Sequence, residues 1–512
     1  MSGYLRRLAT TGAAYTAASI ASKLIAVALL PLYTRYLTTT DYGAAEVMFA
    51  AVVSASIVVR LGVIEALLRF YYKDDEDPAR VVATSFAGLF WFSTGAALVA
   101  LPFATPISEA LLTHPAPDLA RISIGGLWVL TMFEYLLTLF RLEERARAYF
   151  VTTMLSVLAA IALTVVLVVG AEEGARGLLL GSYASGAAFV LGLIWVHRRR
   201  LSLRIDRGLL RRLLRFGLPT MPAELSLYML NFVDRLILVR SAGLAEAGLY
   251  SLAAKFAQAV NVLARGFQLA WPPLAYSIRD DDEARKVYAT VVTWFVAATA
   301  FAVAAMWLLS RWIVRALTTA EFFGSYKAIG LLATGAALYA LYMVLVVILG
   351  RTGKTEFNFP ATGAALASNV ALNLLLVPPF GIVGAGAALV ASYLVVLALM
   401  YGFTQRLFAV PYEWGRLARA TLGATLLVVA GELLLPTEGA GGFLLRVLVW
   451  LAYPLLLLAT GFFTSEERSW LARLRRPGEL AAELRSLRPV PTVDGRIPET
   501  YEIEQMDEDR RL

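Results

Sequence analysis

Cysteine is absent from this 512-residue sequence, and histidine occurs only twice. The first absence excludes disulfide bonds and thiolate metal sites. His114 and His197 each stand without a second ligand at metal-binding spacing, so we expect no metal site. Charged residues are scarce as well, at 16%, and hydrophobic residues make up 59%. Soluble domains have about 25% charged and 45–50% hydrophobic residues, so the composition indicates a membrane protein.

Motifs of enzymes are also missing. Gly353-Lys354-Thr355 is similar to the end of a phosphate-binding loop, but that loop needs a glycine where this sequence has Ile348. No Gly-x-Ser-x-Gly nucleophile motif occurs. A membrane-bound glycan polymerase or ligase is the remaining enzyme alternative, and it would need a large outer loop that this sequence does not provide. We therefore expect a protein that is not an enzyme and has no cofactor.

Long hydrophobic runs dominate what is present. A helix of about 20 apolar residues crosses the hydrocarbon of a bilayer, and runs of that length recur along the whole chain. They predict an all-α, polytopic membrane protein with about 14 transmembrane helices. The predicted spans are residues 13–37, 44–70, 81–111, 121–141, 149–171, 174–197, 217–240, 246–276, 286–317, 326–350, 357–377, 381–405, 414–435 and 440–463.

Basic residues are distributed unevenly between the predicted loops. Alternate loops, counted from the one after the second span, hold 21 Lys and Arg residues, and the opposite set holds six. Cytoplasmic loops carry the excess of positive charge in membrane proteins. We therefore expect a multi-pass protein of the plasma membrane with both termini in the cytoplasm. Topology also explains the net charge of +8, and no nucleic-acid partner is expected.

Eight arginines are concentrated in residues 197–216, between the sixth and seventh spans. Leucines alternate with them at helical spacing, which is typical of an amphipathic segment lying in the headgroup layer. This segment divides the predicted chain into parts. They are an N-terminal six-helix bundle (1–197), a basic cytoplasmic linker (198–216), a C-terminal six-helix bundle (217–410), two additional transmembrane helices (411–463) and a charged cytoplasmic tail (464–512).

The two six-helix bundles are predicted to be copies of one plan. Arg60 and Arg265 both lie in mid-span and are 205 positions apart, and Gly43 and Gly248 have the same separation. An even number of spans separates the copies, so their topology is parallel. Such copies are related by an axis along the membrane normal, with a substrate path between them.

Two short motifs suggest a family. Leu-Leu-Pro-Leu-Tyr-Thr-Arg-Tyr-Leu (29–37), followed by Thr-Thr-Thr-Asp-Tyr-Gly (38–43), resembles the start of the polysaccharide-export flippases. The glycine-rich stretch 380–388 resembles the turn before their twelfth helix. These flippases belong to a superfamily that also includes murein-lipid flippases and multidrug extrusion antiporters. The resemblance covers roughly residues 1–465. It implies two bundles forming a V, alternating access, and an undecaprenyl-diphosphate-linked oligosaccharide as cargo.

Ionised side chains inside the spans require an explanation, because each costs about 2.5–3.5 kcal/mol on insertion scales. Four cations lie there, and the last two share a polar stripe on the eighth span with three amide side chains, Gln258, Asn261 and Gln268. Lipid would not tolerate this stripe, whereas a water-filled cavity would. Arginine and lysine there could hold a diphosphate through charge-assisted hydrogen bonds. The predicted substrate-binding residues are Lys23, Arg60, Lys255, Arg265, Gln258 and Asn261.

The alternative interpretation is that each cation pairs with a carboxylate and only joins helices. The available partners are Glu46, Glu134, Glu224 and Asp234. Under the cavity interpretation, replacing Arg60 by alanine leaves no buried partner behind. Under the ion-pair interpretation, the same replacement leaves a buried carboxylate without its cation. Glu46, Glu224 and Asp234 are also the candidates for ion coupling.

Together these observations predict a flippase that moves a lipid-linked oligosaccharide from the inner to the outer leaflet for surface polysaccharide biosynthesis. Its partners would be the lipid-linked substrate, membrane lipid, and the polymerases and glycosyltransferases of the same process. A cation or drug antiporter on the same fold is the first alternative. A flippase for the cell-wall precursor lipid II is the second. The basic sign of the mid-span charges favours an anionic cargo over a cationic drug.

Overall fold

The computed structural model describes residues 21, 25, 27–72, 76–230, 232–465, 467 and 468. Most of the predicted first span, including Lys23, and most of the predicted tail lie outside the described residues. Nearly all of the described residues are helical, and none of them forms a strand. The α-helices are α1 (Leu30–Tyr36), α2 (Thr39–Arg60), α3 (Val63–Phe70), α4 (Pro78–Ala100), α5 (Ala104–Leu112), α6 (Pro117–Leu142), α7 (Ala146–Val165), α8 (Gly174–His197), α9 (Arg207–Gly217), α10 (Met221–Met229), α11 (Val233–Ala242), α12 (Leu244–Ser277), α13 (Asp281–Leu317), α14 (Tyr326–Arg351), α15 (Asn358–Leu407), α16 (Trp414–Leu434), α17 (Gly439–Leu451) and α18 (Tyr453–Ala459).

The second predicted span is two helices, α2 and α3. A capping box begins α2, in which the Thr38 hydroxyl accepts a hydrogen bond from the N–H of Asp41 and the Asp41 carboxylate accepts one from the N–H of Thr38. Leu61 and Gly62, both at positive φ, separate α2 from α3. A Cβ on Gly62 would lie 2.0 Å from the carbonyl oxygen of Gly217 at the end of α9. This close approach, together with the positive φ, requires glycine at position 62.

The basic linker ends in α9, which packs on the first bundle. Asp206 caps the helix by accepting a hydrogen bond from the N–H of Leu209. Leu209 and Leu213 are fully buried with residues of α3 and α4, whereas all eight arginines of the linker are exposed. Ion pairs also join Arg80 to Asp206 and Arg212 to Glu76. The segment is amphipathic as predicted, and α9 is structurally part of the first bundle.

The second bundle contains two predicted spans that the structure divides. Predicted span 217–240 becomes a 3-10 turn (Leu218–Thr220), α10 and α11, because Pro219 and Pro222 interrupt regular helix. Predicted spans 357–377 and 381–405 form α15, which turns sharply at Gly381 (φ 53°, ψ −131°) after two prolines. A Cβ on Gly384 would lie 2.1 Å from the carbonyl oxygen of Leu376. The glycine-rich stretch is thus the inside of a tight turn between two transmembrane segments.

Ten helical segments of the described residues are long and apolar enough to cross a membrane. One of them, α15, contains two predicted spans. The broken pair α10–α11 and the charged helix α12 fall outside these ten, as does the first predicted span, which is largely undescribed. The second span within α15 and these three further spans, added to the ten segments, give the 14 spans expected from the sequence. The all-α, polytopic fold is confirmed, and the chain is a multi-pass membrane protein.

A buried arginine attaches α16 and α17 to α13. The Arg446 side chain is completely buried and forms an ion pair with Glu432. It also donates to the carbonyl oxygens of Pro436, at 3.2 Å, and Leu308, at 3.3 Å, and lies over the Trp312 ring. By contact density the chain separates into two units, residues 1–453 and 454–512; the second contains most of α18.

Candidate functional site

The two bundles meet where α2 and α12 begin. A Cβ on Gly43 would lie 2.0 Å from the carbonyl oxygen of Leu244, and a Cβ on Gly248 would lie 2.2 Å from that of Thr39. The Glu321 carboxylate, between α13 and α14, accepts hydrogen bonds from the backbone N–H of Thr39 at 2.7 Å and from its hydroxyl at 2.9 Å. We call this contact region the Thr39 end. Here the two bundles touch through backbone.

An ion pair between the bundles lies about one turn after Gly43 on α2 and about two turns after Gly248 on α12. Nζ of Lys255 on α12 donates to Oε1 of Glu46 on α2 at 2.6 Å, and lies 4.9 Å from the centre of the Tyr42 ring. The side chains are 27% and 13% exposed, respectively. Pairing with a carboxylate, which the sequence left open as the alternative interpretation, is thus observed for Lys255.

Arg60, at the end of α2, forms two ion pairs. Its Nη1 lies 2.7 Å from Oε2 of Glu134 on α6, and its Nη2 lies 2.8 Å from Oε1 of Glu224 on α10. Its Nε donates to the carbonyl oxygen of Ser56 at 3.3 Å. Arg60 therefore has two carboxylate partners, as the ion-pair interpretation expects, and both of them are partly exposed.

The polar stripe of α12 faces open space beyond these pairs. Gln258 and Arg265 are exposed, and Asn261 is partly exposed on the same face. Arg265 forms no ion pair with any described residue, in contrast to Arg60 and Lys255. It lies ten residues, or about 15 Å, along the helix from Lys255. An unpaired cation at this depth requires contact with water or with an anionic ligand.

A buried polar cluster surrounds Asp234 on α11. The Asp234 side chain is 0% exposed. The Tyr250 hydroxyl donates to one of its oxygens at 2.6 Å, and Nδ2 of Asn373 donates to the other at 2.7 Å. Oδ1 of Asn373 is buried without a hydrogen-bond partner among the described residues. Tyr250 and Asn373 are not among the residues predicted from the sequence, although an asparagine within an otherwise apolar span was an available signal.

An apolar groove lies away from all of these charges. It has a volume of about 1190 Å³ and is lined by α13, α14, α15 and α16 through residues such as Val296, Leu341, Tyr401 and Leu422. Within the described residues, no group of acidic or histidine side chains could hold a metal ion.

Comparison with known proteins identifies the family. A sequence profile described as polysaccharide biosynthesis protein matches residues 32–327, which is more than half of the chain. The chain belongs to this family. The match includes Glu46, Arg60, Asp234, Lys255 and Arg265 and excludes Asn373. A comparison with proteins of curated function gave no significant match.

Solved structures share the fold of this family member. The lipid II flippase MurJ, in an inward closed conformation, is 14% identical, with a TM-score of 0.67 over 86% of this chain and 96% of MurJ. An inward-facing multidrug resistance MATE family transporter of the MOP superfamily is 15% identical, with a TM-score of 0.61 over 75% of this chain and 95% of that one. An outward-facing structure of a MATE family transporter is 16% identical, with a TM-score of 0.56 over 78% of this chain and 95% of that one. The resemblance stated from the sequence is confirmed, and the chain has the fold of flippases and transporters of this superfamily.

Proposed function

We propose that the protein is a flippase, not an enzyme, that moves an undecaprenyl-diphosphate-linked oligosaccharide from the inner to the outer leaflet by alternating access. Membership of a polysaccharide biosynthesis family and the flippase-like fold support a role in surface polysaccharide biosynthesis. Glycosyltransferases and a polymerase of that process would be its functional partners.

Arg265 is the observation that carries this proposal. It is an exposed cation in the middle of a 34-residue helix, without an ion pair among the described residues. A diphosphate would satisfy it through charge-assisted hydrogen bonds. Gln258 and Asn261 on the same face would add neutral donors for the same ligand. Arg60, Lys255 and Lys23 would complete the binding set as the two bundles move.

The apolar groove and the topology fit the same function. A polyprenyl chain needs an apolar surface, and the groove between α13 and α16 offers one. The distribution of basic residues assigns the Thr39 end to the outer side and both termini to the cytoplasm. With the bundles in contact at the Thr39 end, the exposed part of α12 would receive substrate from the inner leaflet.

Three carboxylates are candidates for coupling transport to an ion gradient. Glu46 and Glu224 each form an ion pair that connects the two bundles. Asp234 is buried between Tyr250 and Asn373. A change of protonation or a bound cation at any of the three would alter contacts between helices that must move during alternating access.

Two other cargoes are each favoured by one observation. The likeness to MurJ favours a lipid-linked cell-wall precursor. The likeness to MATE transporters, together with the carboxylates that pair with Arg60 and Lys255, favours a cationic drug. The first differs from our proposal only in the glycan, whereas the second requires a site of opposite charge.

Charge reversal at Arg265 tests the sign of the site. The wild type, Arg265→Ala and Arg265→Glu should be reconstituted, and flipping of a fluorescent polyprenyl-diphosphate sugar should be measured beside efflux of ethidium. We expect Arg265→Ala to reduce flipping and Arg265→Glu to reduce it further, because attraction becomes repulsion in a partly low-dielectric site. Lys327→Glu, at an exposed residue at the start of α14, is the control for charge alone. Ethidium efflux by the wild type without lipid flipping would refute the proposal.

A further inference from the structure

Every nitrogen of the Arg60 guanidinium is engaged. Nη1 contacts Glu134, Nη2 contacts Glu224, and Nε contacts the carbonyl oxygen of Ser56. The arginine side chain is only 11% exposed, whereas Glu134 and Glu224 are 36% and 41% exposed. Three of the five N–H groups of the guanidinium are thus used, and two of them are held by carboxylates that are more exposed than the arginine itself. A diphosphate that binds Arg60 therefore competes with these carboxylates.

The two carboxylates differ in the part of the molecule that positions them. Glu134 lies on α6, which packs along α2 in the first bundle. Glu224 lies on α10, the short helix that begins the second bundle after the Leu218–Thr220 turn. Because α10 packs on α15 of the second bundle as well as on α2, a movement that carries α10 with α15 would separate Glu224 from Arg60 and leave Glu134 in place. Glu224 is the partner that can be exchanged.

Carboxylate and phosphate oxygens bind the same edge of a guanidinium, each as an acceptor of charge-assisted hydrogen bonds. With both carboxylates ionised, the Arg60 group has a net charge of −1 and repels an anionic ligand. Loss of contact with Glu224 frees Nη2 for a ligand oxygen. Glu134 would still hold Nη1 and keep the guanidinium oriented.

We propose that Glu224 competes with the diphosphate of the substrate for Arg60, occupying Nη2 while the site is empty and yielding it when substrate binds. The inference rests on the proposed function, in which Arg60 contacts the diphosphate. It assigns Glu224 a role in setting affinity and in linking substrate binding to the contact between bundles. Substrate arrival breaks an ion pair between the bundles, and substrate release allows it to form again.

Binding of farnesyl diphosphate to the detergent-solubilised full chain tests the competition. We expect Glu224→Gln to lower the Kd about five- to tenfold, because the ligand no longer displaces a partly exposed ion pair. Glu224→Asp should also lower it, since the shorter side chain keeps its charge but reaches Nη2 less well. This second variant separates loss of contact from loss of charge.

Glu65→Gln is the matched control. Glu65 on α3 is close enough to act electrostatically on Glu134 and Glu224, yet it forms no ion pair with Arg60. Its removal takes away the same charge without freeing Nη2. We expect a change of less than about twofold, because Glu65 is partly exposed and makes no direct contact with Arg60.

Arg60→Ala, alone and combined with Glu224→Gln, separates the binding of diphosphate by Arg60 from the competition by Glu224. Competition predicts that Glu224→Gln no longer tightens binding once Arg60 is gone. If Arg60→Ala weakens binding but neither Glu224 variant tightens it, the competition is refuted and the diphosphate role of Arg60 stands. Equal tightening by Glu65→Gln and Glu224→Gln would also refute it, in favour of general electrostatics. If Arg60→Ala leaves the Kd unchanged in both backgrounds, Arg60 has no diphosphate role and both proposals for it fail.

Discussion

Gly43 and Gly248 occupy equivalent positions of the two bundles, and in the folded chain they pack against each other. A Cβ on Gly43 would be 2.0 Å from the carbonyl oxygen of Leu244, and one on Gly248 would be 2.2 Å from that of Thr39. Carbon and oxygen atoms need well over 3 Å, so only glycine allows the helices to approach so closely. This contact determines how tightly the bundles close at the Thr39 end.

Adding one methyl group at either glycine should open that end. Gly43→Ala and Gly248→Ala each require the backbones to separate by about 1–2 Å. We expect longer distances between spin labels on cysteines introduced at Thr40 and Ser241, and reduced transport. Gly95→Ala, which has open space around its Cβ position, is the control. Unchanged distances in both variants would show that this contact does not set the closure.

Lys255→Met should lower the stability of the protein, because it leaves Glu46 largely buried without its cation. Loss of one partner of a buried pair costs about 3–5 kcal/mol, and the partial exposure of Lys255 should reduce this. The double variant Lys255→Met, Glu46→Gln should recover most of the apparent Tm in detergent. Transport by the recovered double variant decides between the two interpretations of Lys255. Normal flipping means that the pair only joins helices, and lost flipping means that Lys255 also contacts substrate.

Cysteine labelling checks the orientation, and the absence of native cysteine removes background. The cysteines belong at exposed positions, and Thr40 is exposed whereas its neighbour Thr39 is buried. An impermeant maleimide should label cysteines at Thr40, His114 and Glu438 in intact cells. A cysteine at Arg204 should react only after permeabilisation. Labelling of Arg204 in intact cells would reverse the orientation and the direction of transport.

Docking of α9 should withstand mild acid. The N–H of Leu209 and the Arg80 side chain hold the pKa of Asp206 below its usual range. A lowered pKa means that the stabilising effect of the carboxylate is complete above the unfolded pKa of about 3.9 and is lost only as the pH falls through the folded value. Hydrogen-exchange protection of α9, corrected for intrinsic rates, should therefore match at pH 7 and pH 5. Asp206→Asn should lower protection at both pH values, and Asp118→Asn, in an exposed pair elsewhere, should not.

Much of the fold could be predicted from hydrophobic length alone. Run lengths located the transmembrane segments, and basic residues marked the linker. The breaks were harder to predict. Pro219 and Pro222 signal an interruption, but the division at Leu61–Gly62 depends on the approach of Gly217, which is distant in sequence. Tertiary contact, and not local propensity, determines that break.

The candidate site could be predicted by residue type but not by partner. A cation in an apolar span indicates a polar surrounding, and on this ground the sequence singled out Arg60, Lys255 and Arg265. The structure pairs the first two with carboxylates and leaves Arg265 exposed. The choice among carboxylates depends on packing: Glu134 and Glu224 lie 74 and 164 positions from Arg60. The Asp234 cluster was missed for the same reason, since Asn373 lies 139 positions away.

The Thr39 end has the symmetry of a dimer interface. Thr39 and Gly43 of the first bundle correspond to Leu244 and Gly248 of the second. Gly43 contacts Leu244, and in the same way Gly248 contacts Thr39. Such reciprocity is the mark of an isologous contact between identical subunits. A half-length ancestor could have used this same glycine to pair with a second copy of itself. Gene fusion would then have preserved the pairing and left each half free to acquire its own charges: Arg60 pairs with two carboxylates, whereas its counterpart Arg265 forms no ion pair with any described residue.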